Sequence, residues 1–191
     1  LIKKEAGIQK GSGNPLRDTL WHTPDIEEIP IGYNSTFRFL ERVAEAALGI
    51  PALVAPPAGL DRAPDCSFLR SRHIAIISGP TRAISLIRFL AQYHVVPRLV
   101  VVDFDSSVQE KIRCLGLPAG EVLIEPDQEL IMQKLREHKI DLLLGGMLEQ
   151  PVAKALSIDH IDIMHGSQLT IGFTGAHNLA RILKDKSHDI R

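Results

Sequence analysis

Between His73 and Lys186 short apolar runs alternate with stretches of helical period, and few folds accept that pattern. The runs are His73–Ser78 (HIAIIS), Arg98–Phe104 (RLVVVDF), Val122–Ile124, Asp141–Leu144 and Ile158–Met164. The first two are continuous and rich in β-branched residues, as strands buried on both faces require. In the intervening stretches the apolar residues recur every three or four positions. Ile84, Leu86, Ile87, Leu90 and Ala91 mark a helix over Arg82–Tyr93, and Leu130, Ile131 and Leu135 one over Gln128–Lys139. Asp105-Ser106 is placed to cap a helix over Ser107–Leu115, Val152–Leu156 is a shorter helix, and Leu179, Ile182 and Leu183 mark one over Ala176–Lys186. Strands alternating with helices imply a parallel sheet with right-handed crossovers. The expectation is an α/β domain over 72–191: a Rossmann-like open parallel sheet of five or so strands flanked by helices.

The first part of the chain lacks this alternation. Over 1–32, GSGNP (Gly11–Pro15), Pro24, Pro30 and Gly32 argue against a long helix. This part reads as an extended arm or linker, anchored by the single Trp21. Because the chain begins with Leu1, the arm is expected to belong to a missing upstream domain. Residues 33–71 hold a helix capped by Asn34 or Ser35 and closed by Gly49, with an apolar stripe of Phe37, Leu40, Val43, Ala44, Ala47 and Leu48. A proline-rich crossing over Ala55–Pro64 and a short helical turn over Cys66–Arg72 follow.

Composition narrows the function. Of 191 residues 45% are hydrophobic and 24% charged, and the net charge of −1 suggests no capture of nucleic acid or of an anionic membrane. No apolar run approaches the ~20 residues that span a bilayer. Two distant cysteines, Cys66 and Cys114, make neither a disulfide framework nor a CxxC metal site. A reducing, cytoplasmic location is expected.

In open α/β sheets ligands bind beyond the carboxyl ends of the strands, which directs attention to three loops. Ser78-Gly79-Pro80-Thr81 follows the first strand. It has one glycine where a dinucleotide fold has three, and Pro80 lacks an amide donor, so a nicotinamide or flavin dinucleotide is not expected. A structural turn capped by Thr81 is the simpler reading, with Gly79 retained as a candidate ligand contact. Asp103 and Asp105 end the second strand, where helix capping explains them better than a ribose contact. Gly145-Gly146 ends the fourth strand and permits close approach of a ligand or of a neighbouring helix. His165-Gly166-Ser167 follows the fifth. A histidine there ligates a metal, moves a proton, or simply hydrogen-bonds within its loop. His160 and Asp162 precede it by odd spacings, and strand alternation would turn them to the opposite face.

Four stretches taken together carry a resemblance: PIGYNSTFRFLERVAEAALGIP (Pro30–Pro51), RHIAIISGPTRAISLIRFLAQYHVVPRLVVV (Arg72–Val102), DLLLGGMLEQPVAKALSI (Asp141–Ile158) and MHGSQLTIGFTGAHNLARIL (Met164–Leu183). In order and spacing they resemble the last Rossmann-like domain of the nitrogenase component 1 family, a nitrogenase-like or chelatase-like domain. That family includes molybdenum-iron protein subunits, cofactor-assembly scaffolds and dark protochlorophyllide reductases. The resemblance implies an oxidoreductase. Its full-length form would carry an iron–sulfur cluster or iron–sulfur metallocofactor, with none expected in the isolated chain. Its partners would be a homologous component 1 subunit and an ATP-dependent iron–sulfur reductase. In the molybdenum-iron protein, the cofactor is ligated through molybdenum by a histidine that follows a methionine, and Met164-His165 stands in the matching place. The resemblance thus makes His165 a metal ligand or proton donor, with Gly79, Gly145, Gly146, Gly166 and Ser167 lining the cofactor cleft. The family's bridging-cluster cysteines come from an amino-terminal domain, and neither Cys66 nor Cys114 matches them. Two alternatives stand beside it: a non-catalytic scaffold for metallocofactor assembly, and a small-molecule-binding Rossmann domain.

Overall fold

The computed structural model describes residues 29–49, 54–104, 107–165 and 169–188. Five parallel strands form one sheet: β1 (Ile74–Ile77), β2 (Leu99–Val102), β3 (Glu121–Ile124), β4 (Leu142–Gly145) and β5 (Asp159–Asp162), in the order β3-β2-β1-β4-β5. The α/β expectation holds. The strands are shorter than the apolar runs that announce them, and Phe104 and Met164 stand beyond strand ends, exposed to solvent.

Alternation along each strand supplies two cores. Ile74, Ile76, Val100, Val102, Leu142, Leu144 and Ile161 face one side, under α2 (Pro80–Ala91), α3 (Val108–Cys114) and α6 (Gly172–His188). Ala75, Ile77, Leu99, Val101 and Leu143 face the other, under α4 (Gln128–Glu137) and α5 (Gln150–Ala155). All residues of β1, β2 and β4 are buried, which is why their sequences are apolar without alternation. The strand order reverses between β1 and β4. The loops after those two strands diverge to opposite faces there and leave the crevice in which such sheets bind ligands.

α1 (Tyr33–Leu48) packs on α2 and α6 through its first turns. Tyr33, Phe37 and Phe173 form an edge-to-face trio with ring centroids 4.8 to 5.2 Å apart. Its start differs from the expected Asn34 or Ser35 cap. Gly32 is the N-cap at φ +88°, and a Cβ there would lie 2.7 Å from Phe89 Cδ2. Backbone geometry and close approach to α2 therefore set the boundary, not a capping side chain. The apolar stripe is also less buried than its period suggests. Tyr33, Ser35 and Thr36 are the buried residues of this helix, while Leu48 is 64% exposed.

The start of α2 differs in the same way. Pro80 occupies the first turn after Gly79, so Thr81 lies inside the helix. α6 begins at Gly172, about a turn before the expected start, and buries Phe173, Ala176, Leu179, Ala180 and Leu183. Asp127 caps α4 as its position suggests, accepting the Leu130 amide at 2.8 Å. Asp105 and Ser106, expected to cap α3, lie outside the described residues.

Arg72 ties the amino ends of the central strands together. Its Nε donates to Asp141 Oδ1 at 2.8 Å and its Nη2 to Asp159 Oδ2 at 2.6 Å and to the Asp141 carbonyl at 2.8 Å. The Arg72 side chain is 8% exposed, so it spends its donors in a largely dry setting just ahead of β1, β4 and β5. Among the described residues no helix is long and apolar enough to cross a membrane.

Candidate functional site at the carboxyl edge of the sheet

β4 delivers Gly145 and Gly146 to the floor of the crevice. The Gly146 amide donates to Glu149 Oε2 at 2.6 Å, one turn into the 3-10 segment Met147–Glu149. A Cβ on Gly146 would stand 3.1 Å from Met164 Sδ, 3.2 Å from Glu149 Oε2 and 3.5 Å from His165 Cε1. One on Gly145 would press on the Glu149 side chain at 3.2 to 3.3 Å. This bare backbone therefore gives room first to the protein's own side chains.

β5 delivers the histidine. Its strand ends at Asp162, paired in register with Gly145, and the chain then turns. Asp162 Oδ1 accepts the amides of Met164 and His165, both at 2.8 Å, which makes that turn. The same oxygen lies 3.6 Å from His165 Nδ1, within electrostatic reach of the ring. The expectation that Asp162 faces away from His165 is corrected. Strand alternation ceases where the carboxylate folds the backbone back, so odd spacing no longer separates the two. Burial tends to raise the Asp162 carboxyl, but the two amides and the His165 and His160 rings hold it below the usual carboxylate range. His165 is half exposed, and its Nε2 lies across the ring from the nitrogen nearest the carboxylate.

The far wall comes from α2. Gly79 stands at its N-cap with no atom within 4 Å of where a Cβ would be, so this edge of the crevice is open. Arg82, in the first turn, reaches across and donates from Nη1 to the Ile163 carbonyl at 2.8 Å. A guanidinium thus spans the carboxyl end of the sheet from β1 to β5. The structure brings Gly79, Gly145, Gly146 and His165 to one edge. Gly166 and Ser167 lie outside the described residues.

Arg82, Glu149 and Asp162 are the site residues that motif reading missed. Glu149 had a signal, since an acid three residues after a turn glycine has the spacing that reaches back to an N-cap amide. Asp162 had a weaker one as a short acid two residues before the loop. Arg82 had none, because its partner is 81 positions away.

A metal or cluster implied by the resemblance finds only a partial donor set here. Among the described residues no group of three or more His, Cys, Asp or Glu side chains is arranged to hold a metal ion. Cys66 is buried, and burial pushes its thiol up to about 11. Cys114 closes α3, away from the crevice. His165 fits as one point of attachment, not as part of a cage.

The family model of the nitrogenase component 1 type oxidoreductases matches residues 8–186. The chain belongs to that family. Among curated relatives, one of the subunits of the light-independent protochlorophyllide reductase of Methylobacterium radiotolerans is 28% identical over 157 residues, covering 79% of this chain and 28% of the relative. The nitrogenase molybdenum-iron protein beta chain of Clostridium pasteurianum is 23% identical over 141 residues, covering 69% and 31%. A solved structure, nitrogenase Cp1 at pH 6.5, superposes with a TM-score of 0.68 at 20% identity over 84% of this chain and 39% of that one, which supports the fold. The chain spans about a third or less of the two curated relatives.

Proposed function

We propose that this component 1 type chain forms one wall of the reactive cleft of a reductase, with His165 as its chemical group. In that reading the full-length protein accepts electrons from an ATP-dependent iron–sulfur reductase and works beside a homologous component 1 subunit. An iron–sulfur cluster or metallocofactor supplies the electron-transfer chemistry when bound. The chain's own residues position and bind. Asp162 holds the turn that presents His165 and lies 3.6 Å from its Nδ1, with Nε2 on the other side of the ring to attach to a metal or to donate a proton. Arg82 places positive charge beside the same opening, suited to sulfide or carboxylate groups. Gly79, Gly145 and Gly146 keep side chains out of it, and Gly166 and Ser167 are assigned to its lining by sequence position.

The observation that carries the reading is the Asp162–His165 turn of a family member, which follows the edge strand β5 and meets the Gly145-Gly146 loop beside the β1–β4 switch point. The test is iron and acid-labile sulfide on the full-length gene product purified without oxygen, beside His165→Ala. Iron and sulfide in similar amounts, with part of the iron lost in the variant, is the expected result. Retention of all metal by a folded His165→Ala variant removes His165 as a ligand and leaves the proton-donor role. Metal-free, folded wild-type protein overturns the cluster reading.

A further inference from the structure

Beyond Ile163 the chain has little apolar anchorage. Ile163 is 3% exposed and packs in the core under α2, whereas Met164 and His165 are exposed. The last rung to the sheet is the Ile163 amide on the Gly145 carbonyl at 2.9 Å. What carries the chain from that rung toward His165 is the peptide unit between Ile163 and Met164. Such a unit is planar, so its carbonyl and its amide turn together. Both are held, and from different walls of the crevice. The Met164 amide donates to Asp162 Oδ1 at 2.8 Å, and the Ile163 carbonyl accepts Arg82 Nη1 at 2.8 Å.

The two bonds do different things. Asp162 lies two residues before Met164, so its bond shapes the turn but travels with it. Arg82 comes from α2 on the other side of the opening, so its bond fixes where the turn stands relative to that wall. A charged donor on a carbonyl also binds more strongly than a neutral one. The place of Arg82 in the sequence is independent evidence that it does not serve its own helix. Only Pro80 and Thr81 precede it in α2, so a cation stands in the first turn, where the helix dipole disfavours one, and no acidic residue there offsets it. Its side chain is partly buried, and among the described residues the acceptor it reaches is the Ile163 carbonyl.

We propose that Arg82 is a positioning residue for His165: by fixing the Ile163 carbonyl from across the crevice, it sets the direction in which the turn presents the imidazole. This rests on the reading of His165 as the chemical group, and it goes beyond the positive charge that Arg82 brings to the opening. Arg82 acts through the backbone ahead of His165, so replacing it displaces the imidazole without altering the imidazole itself. Lysine keeps the charge and much of the reach but lacks the planar fork, so it restores the tie in part. Glutamine is shorter and uncharged and does not.

The experiment uses the full-length gene product purified without oxygen, as wild type, Arg82→Gln, Arg82→Lys, His165→Ala and the double variant of Arg82→Gln with His165→Ala. Two quantities are measured on each: amide hydrogen exchange of the peptide over residues 160–165, and bound iron. Arg82→Gln should speed exchange of that peptide about tenfold, beyond any change in His165→Ala, while β1, β2 and β4 exchange as in wild type. Arg82→Lys should fall between. Arg82→Gln should also lose iron, and the double variant should lose no more than His165→Ala alone. Unchanged exchange in Arg82→Gln, or exchange raised equally across the sheet, overturns the tie. Full iron in Arg82→Gln beside a loss in His165→Ala overturns the positioning role. So does a further loss in the double variant, which would mean that Arg82 holds the cofactor directly. Metal-free wild type, or full iron in a folded His165→Ala variant, counts against His165 as a ligand instead, and the exchange result alone then decides the role of Arg82.

Discussion

Two cysteines of one chain are expected to behave as different chemicals. Cys66 is fully buried beneath Tyr93, whose hydroxyl donates to the Pro64 carbonyl at 3.0 Å, while Cys114 is exposed. A thiol probe at neutral pH should therefore titrate one cysteine quickly and release the second only on unfolding. Burial raises the Cys66 thiol from 9.0 to about 11, with the Tyr93 hydrogen bond pulling the other way. A raised folded value means that the unfolded chain loses this proton first. The contribution is complete below pH 9 and is lost as pH rises through 11. Its size is on the order of 2–3 kcal/mol, at ~1.4 kcal/mol per tenfold change. Cys66→Ala should flatten the alkaline limb of a stability-against-pH curve above pH 9, and an unchanged limb would mean that other groups set it. Gly175 is a residue whose identity is dictated by contact. A Cβ there would sit 2.4 Å from the Thr170 carbonyl carbon, which is backbone and does not rotate away. Gly175→Ala should cost about 1–3 kcal/mol in chemical denaturation, typical of overpacking, and a neutral result would show that the entry to α6 shifts freely.

Elements depend on their ends here more than on their periods. Asp127 caps α4 through its side chain as sequence spacing suggests, and Asp127→Ala should cost about 1 kcal/mol by denaturant midpoint. α1 and α2 instead start at Gly32 and Gly79-Pro80, where backbone geometry and the neighbouring helix decide. That is why Asn34, Ser35 and Thr81 looked like caps and are not. The strands are joined at their amino ends by Arg72. Asp141 and Asp159 are partly exposed, so the pairs are worth less than a dry ion triad. Arg72→Met should still lower stability by roughly 1–3 kcal/mol, because it leaves two carboxylates beside each other without their shared cation. A double-mutant cycle with Asp159→Asn measures the coupling, and additivity within ~0.5 kcal/mol would show that Arg72 acts through packing alone.

At the scale of the molecule, the sequence by itself determined the α/β class and the parallel sheet. Burying a strand on both faces demands a continuous apolar run, and helices between such runs leave one sense of crossover. It also placed Gly79, Gly145, Gly146 and His165 at strand ends, since that needs only the strand boundaries. The tertiary structure decided which of those ends meet. Strand order sets β1 beside β4, and only then do Gly79 and Gly145 border one crevice. The Asp162–His165 turn depends on where β5 stops, and hydrophobic period is blind to that because Asp162 is polar in either state. The Arg82–Ile163 bond depends on contact between segments 81 residues apart. The half-exposed stripe of α1 shows the converse limit: periodicity reports that a face is apolar, not that anything in the same chain covers it. Local free energy is written in neighbouring residues and can be read from them, whereas site geometry is a sum over distant contacts that exists only once the chain has closed.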